Sequence, residues 1–109
     1  MTASENTKLA LVTGASRGIG KAIAIELAST GLRVIGTATS SEGATRISSY
    51  LSGMKNPGMG MKLDIADDSS VESLFLAINN DFGSPTVLIN NAGITRDNLL
   101  MRMKLDEWH

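Results

Sequence analysis

Three glycines, at positions 14, 18 and 20, follow Thr13 and enclose Arg17; of all the spacings in this chain, theirs suits chemistry most directly. An apolar run, Leu9 to Val12, leads into them, and an apolar-periodic stretch leads away. Strand, tight turn and helix start in that order build a phosphate cradle. The first glycine permits the bend, and the next two let backbone and helix approach a pyrophosphate closely. Unpaired N–H groups and the positive end of the helix dipole then face the anion. A Cβ at Gly18 is therefore expected to intrude on the turn or on the ligand. The spacing is G-x-x-x-G-x-G rather than G-x-G-x-x-G. Taken alone, it could be a plain strand–helix connector.

It does not stand alone. Thr37–Ser41, Asp64-Ile65 and Asn90-Asn91-Ala92-Gly93 also follow short apolar runs. In parallel sheets a ligand lies across the carboxyl ends of the strands, so four polar or glycine-rich strand ends on one rim are more specific than any one. Asp64 has two readings, a helix-start residue or an acceptor for an adenine amino group. Asn90 and Asn91 could satisfy backbone groups of a turn. Ala92-Gly93 beside them suggests a backbone passing close to a bound ring, and Asn91 is expected to serve both ends. After the second strand no acid occurs until Glu42, where a carboxylate would accept from the ribose 2′-hydroxyl of NAD. Arg17 could face a 2′-phosphate instead, or be a solvated loop residue. Together these features favour NADP(H). Tyr50, Trp108 and His109 have no partner at catalytic spacing, and Tyr50 falls in a surface-type helix. Met101 and Met103 are expected to pack a segment rather than bind a ligand.

The elements that must hold this rim can be read from periodicity. Strands are expected at 9–12, 33–38, 59–63 and 86–89. The first helix should run from Gly18 to about residue 30, with Ile19, Ile23 and Leu27 as its packed stripe and Ala22 beside it, and Gly31 should close it. A second helix over 42–51 presents Ala44, Ile47 and Leu51. Ser69 and Glu72 form a capping-box pattern for a third, with Val71, Leu74, Phe75 and Ile78 as its stripe. Gly83-Ser84-Pro85 ends it. Strand–helix alternation of this kind predicts an α/β fold with a doubly wound parallel sheet, strand order 3-2-1-4. Residues 94–109 turn polar, and Asp106-Glu107-Trp108 resembles the first turn of another helix.

Bulk composition narrows the partners. Ten basic against eleven acidic residues in 109 leave a net charge of −1, which argues against nucleic acid or an acidic membrane as ligand. No cysteine is present, so thiol chemistry and zinc-thiolate sites are excluded. The polar start and the lack of a long apolar run lead us to expect a cytoplasmic protein.

TGASRGIG at 13–20 with NNAG at 90–93 resembles the short-chain dehydrogenase/reductase family, and the likeness covers nearly the whole chain. VIGTATS at 34–40 and NNAGITRDNLLMRMK at 90–104 are similar to those members that reduce β-ketoacyl groups on acyl carrier protein. The resemblance implies a Rossmann-type fold and NADP(H) as cofactor. It places Gly14, Ala15, Ser16 and Arg17 on the cofactor phosphates, with Gly18, Ile19 and Gly20 shaping the helix start. Thr39 would reach the 2′-phosphate, Asp64 and the Ile65 backbone would bracket the adenine, and Asn91, beside Ala92 and Gly93, would contact the nicotinamide-side ribose. A cytoplasmic homotetramer acting on acyl-carrier-bound β-ketoacyl substrates in fatty-acid synthesis is implied for the intact enzyme. The family's catalytic Ser, its Tyr with a Lys four positions on, and its helix Asn have no counterpart here. Tyr50, the only tyrosine, has Met54 four residues on. Residues 1–109 therefore resemble the N-terminal, cofactor-binding part of one domain and would be inactive alone. A short NADP-binding module or sensor, and a dehydrogenase for a sugar, steroid or other alcohol, are the competing readings.

Overall fold

The computed structural model describes residues 8–64 and 66–91. Seven elements alternate along it: β1 (Leu9–Thr13), α1 (Gly18–Ser29), β2 (Arg33–Ala38), α2 (Ser41–Leu51), β3 (Met59–Lys62), α3 (Asp68–Asp81) and β4 (Val87–Asn90). The strands form one sheet in the order β3-β2-β1-β4, and every pairing is parallel. This is the Rossmann-type α/β arrangement expected from the alternation.

Side-chain alternation along β1 explains the two layers of helix. Leu9 and Leu11 point to one face, where they pack with Ile35, Leu63 and the α3 stripe Val71, Leu74, Phe75 and Ile78. Ala10 and Val12 point to the other, against Ala24 and Ala28 of α1 and Ile47 and Leu51 of α2. All five β1 residues are buried, as a strand covered on both faces requires. The α1–α2 face is built from small residues, which lets those helices sit close to the sheet. A Cβ on Gly36 would meet Ile47 Cγ2 at 2.8 Å and Ala15 Cβ at 2.9 Å. One on Gly60 would meet the Ala44 carbonyl and Ile47 Cβ. Ile47 fills the room that these two glycines leave, and α2 is seated by it.

Three expectations need correction. The packed face of α1 runs through Gly20, Ala24 and Ala28, with Ile23 and Leu27 at its margin, not through Ile19 and Ala22. Ile19 is 73% exposed. Close approach to the sheet selects the smallest side chains, and this outweighs the hydrophobicity of the alternative stripe. Ser69 does not cap α3: Asp67 does, two residues earlier, with its Oδ1 accepting from Ser69 N at 2.9 Å. Asp is as good a cap as Ser, so Asp67 leaves the capping-box pattern inside the first turn. Finally, β4 is shifted one residue, so that Asn90 is its last strand position. Elsewhere the boundaries agree to within one residue, and Gly31, at φ +105°, follows the Thr30 cap of α1. Among the described residues no helix is long and apolar enough to cross a membrane.

Candidate functional site

Because all four strands run the same way, their carboxyl ends share one rim. The register sets Thr13 beside Asn90 and Ala38 beside Lys62. At β1/β4 the order of strands reverses, which in open α/β sheets opens a crevice for ligand. The glycine turn lies there.

The turn is held from three sides. Ala15 N donates to Thr37 O of β2 at 2.9 Å. Asn91, just past β4, donates from Nδ2 to Gly14 O at 3.1 Å. From α2, the Tyr50 hydroxyl donates to Ala15 O at 2.6 Å. Ser16 meets the start of α2 as well, since a Cβ added to Gly43 would stand 3.4 Å from its own Cβ. Below the turn, Thr13 Oγ1 donates to Asn90 Oδ1 at 3.1 Å. That bond joins the last residues of two neighbouring strands. Asn90 Nδ2 is buried and has no partner among the described residues.

The two later glycines of the motif differ in what they require. Gly18 sits at φ +64°, yet a Cβ there would meet no atom of the other described residues within 4 Å. Among the described residues the expected intrusion on the turn is absent, and the left-handed backbone is what favours glycine as far as the protein's own atoms are concerned. Gly20 carries the steric constraint. A Cβ on it would strike the Gly14 carbonyl oxygen and come within 2.6 Å of Asn91 Nδ2.

Around the cradle, Arg17 is the exposed N-cap of α1 and makes no side-chain cap bond. By contrast, Ser40 caps α2 by accepting from Gly43 N at 3.0 Å, and Asp67 caps α3. Thr39 is exposed immediately after β2, and Ile19 is exposed beside the turn. Asp64 is exposed two residues past β3, and before it Leu63 N donates to Ala38 O at 2.8 Å and keeps the two strand ends together. Asp64 Oδ1 accepts from Ala66 N at 3.1 Å, and its own N–H donates to Ser70 Oγ at 3.0 Å, a local helix-start arrangement. Ile65, Ala92 and Gly93 lie outside the described residues, as do Met101, Met103, Trp108 and His109.

The expectation of a surface-type position for Tyr50 needs correction, and its partner is a backbone carbonyl rather than a group at catalytic spacing. The residue is half-buried against the α1–α2 face of the core, and the Lys21 ammonium lies 5.3 Å from its ring centroid. Burial pushes its hydroxyl up to about 12. Gly43, Ile47, Tyr50 and Leu51 fall at i, i+4, i+7 and i+8. Extending the apolar stripe of α2 by that spacing would have placed the tyrosine on the packed face.

The short chain dehydrogenase family profile matches residues 8–109 of the chain. Over 101 residues the chain is 59% identical to the 3-oxoacyl-acyl-carrier-protein reductase of Haemophilus influenzae, a match covering 93% of this chain and 40% of that protein. The reductase of the same name from Escherichia coli is 58% identical over 102 residues, covering 94% and 41%. That from Vibrio cholerae is 59% identical over 101 residues, covering 93% and 40%. The chain thus spans about two fifths of the length of the curated relatives it matches.

Proposed function

The chain belongs to the short-chain dehydrogenase family, and from that premise we propose that it is the NADP(H)-binding part of a 3-oxoacyl-acyl-carrier-protein reductase. The observation that carries this reading is the braced glycine turn at the β1/β4 crevice, opening onto a helix start that has no side-chain cap. The residues present fit a dinucleotide. Among the described residues Gly18 faces open space, the first N–H groups of α1 have no intrahelical partner, and the Gly14 and Ala15 carbonyls are bonded to Asn91 and Tyr50.

Of the phosphate set expected from the sequence, Gly14, Ala15, Ser16 and Arg17, the Ala15 N–H is committed to Thr37 O. In this reading the N–H groups of Ser16 and Arg17 hold the pyrophosphate, and Gly14 and Ala15 shape the turn beneath it. Gly18 and Ile19 shape the helix start, and Gly20 lets α1 come near enough to present it. Arg17 and Thr39 meet the 2′-phosphate, Asp64 and the Ile65 backbone meet the adenine, and Asn91, with Ala92 and Gly93 beside it, meets the nicotinamide-side ribose. Bound there, NADPH supplies the hydride that reduces a β-ketone to a β-hydroxyl. The chain's own residues bind and orient; none is assigned a proton-transfer role. Substrate on acyl carrier protein, a homotetrameric assembly and a cytoplasmic location belong to the same reading, as does treating 1–109 as one part of a single domain.

The test is made on the full-length protein. NADPH fluorescence titration should give saturable binding, and a β-ketoacyl thioester should drive NADPH oxidation. Oxidation with sugars or simple ketones but not with the thioester would move the reading to another alcohol dehydrogenase. Absence of dinucleotide binding would overturn it.

A further inference from the structure

We propose that Tyr50 is a positioning residue of the cradle, its hydroxyl fixing the peptide between Ala15 and Ser16 so that the Ser16 N–H is presented to phosphate. The proposal rests on the cofactor-binding reading above. Ala15 is fully buried, and both of its backbone polar groups are bonded. Its N–H goes to Thr37 O at 2.9 Å, and its carbonyl receives the Tyr50 hydroxyl at 2.6 Å, a bond that spans 35 residues of sequence. In a trans peptide the C=O of one residue and the N–H of the next point in opposite directions. Holding the Ala15 carbonyl toward α2 therefore turns the Ser16 N–H away from α2. Without that bond the peptide could rotate and set a carbonyl dipole against an anionic ligand.

Gly14 is treated alike from the opposite side, its carbonyl receiving Asn91 Nδ2 at 3.1 Å. Successive carbonyls of the turn are thus each held by a side chain from a different element. Tyr50 is suited to its part. Its ring packs with the core, the Lys21 ammonium 5.3 Å from the ring centroid links it to α1, and burial keeps the phenol protonated well above neutral pH. The residue ties the two helices flanking the turn to the turn itself.

Tyr50→Phe in the full-length protein keeps the ring and removes only the donor. NADPH and 2′-AMP, which lacks the pyrophosphate, are titrated against wild type and variant, by fluorescence and by ligand-observed NMR respectively. NADPH affinity should fall about 3- to 10-fold, the worth of one neutral hydrogen bond, while 2′-AMP affinity stays unchanged. The KM for NADPH should rise by the same factor with kcat for the thioester unaltered. Unchanged NADPH affinity would overturn the proposal. So would equal loss of both ligands, because the hydroxyl would then hold the fold rather than aim the amide. If wild-type protein bound no dinucleotide, the cofactor reading itself would fall and this proposal with it. Wild-type binding with an indifferent variant would sink the proposal alone.

Discussion

At the scale of single residues, the choice of nucleotide turns on where charge stands around the end of β2. Thr39 and Ser40 are exposed there, and the first carboxylate, Glu42, lies inside the first turn of α2. A ribose 2′-hydroxyl would thus find no acid to accept its proton, while a 2′-phosphate would find hydroxyls and the exposed Arg17. A charge-assisted hydrogen bond contributes ~1.5–3 kcal/mol, roughly ten- to a hundred-fold in affinity. Arg17→Ala in the full-length protein should therefore weaken NADPH by about that factor and NADH much less. Titrating both cofactors against both proteins checks it, and equal losses would remove Arg17 from the 2′-phosphate. Tyr50 teaches the converse at the same scale. Its type was visible and its partner was not, because a hydrogen bond to a carbonyl 35 residues away depends on how α2 is seated.

At the scale of elements, α1 and the turn before it make opposite demands on two glycines, and substitutions should rank differently at each. Gly18 is conformational: φ is +64° and space is open, so Gly18→Asn should be milder than Gly18→Ala, which costs ~1–2 kcal/mol, and Gly18→Val worse still. Gly20 is steric, pressed on Gly14 O and Asn91 Nδ2, so even Gly20→Ala should cost ~1–3 kcal/mol and larger side chains more. Chemical denaturation of the full-length variants gives both rankings; a shared order set by size would refute the distinction. The same contrast marks what could be read from sequence. Val71, Leu74, Phe75 and Ile78 were legible because a helix packed by large side chains writes a strong period. The α1 face was not, because Gly20, Ala24 and Ala28 carry little hydrophobicity and Ile19 a great deal. The rim itself was legible, since strand ends announce themselves by polar residues and glycine. The braces on Gly14 and Ala15 required the fold.

At the scale of the whole molecule, the sheet is unevenly covered. β1 is buried along its length, whereas all four residues of β4 are only partly buried, and among the described residues β4 pairs with β1 alone. Val87, Leu88 and Ile89 make that edge apolar, with no Lys, Pro or bulge within it to discourage pairing with another chain. Leu76 on α3 adds a large exposed side chain, 65% accessible, to one face. The curated relatives are about two and a half times longer than the stretch matched, enough chain to cover both features. We therefore predict that residues 1–109 expressed alone associate through β4, and become soluble only when the remaining part of a full-length relative is supplied as a second chain. No turnover is expected from the isolated chain, since none of its residues matches the family's proton donors. Sedimentation velocity on the isolated chain, with NADPH oxidation measured against a β-ketoacyl thioester, checks both expectations. A monodisperse monomer that unfolds cooperatively would show that β1–β4 and three helices suffice without further cover. Turnover above background would place a proton donor within these 109 residues.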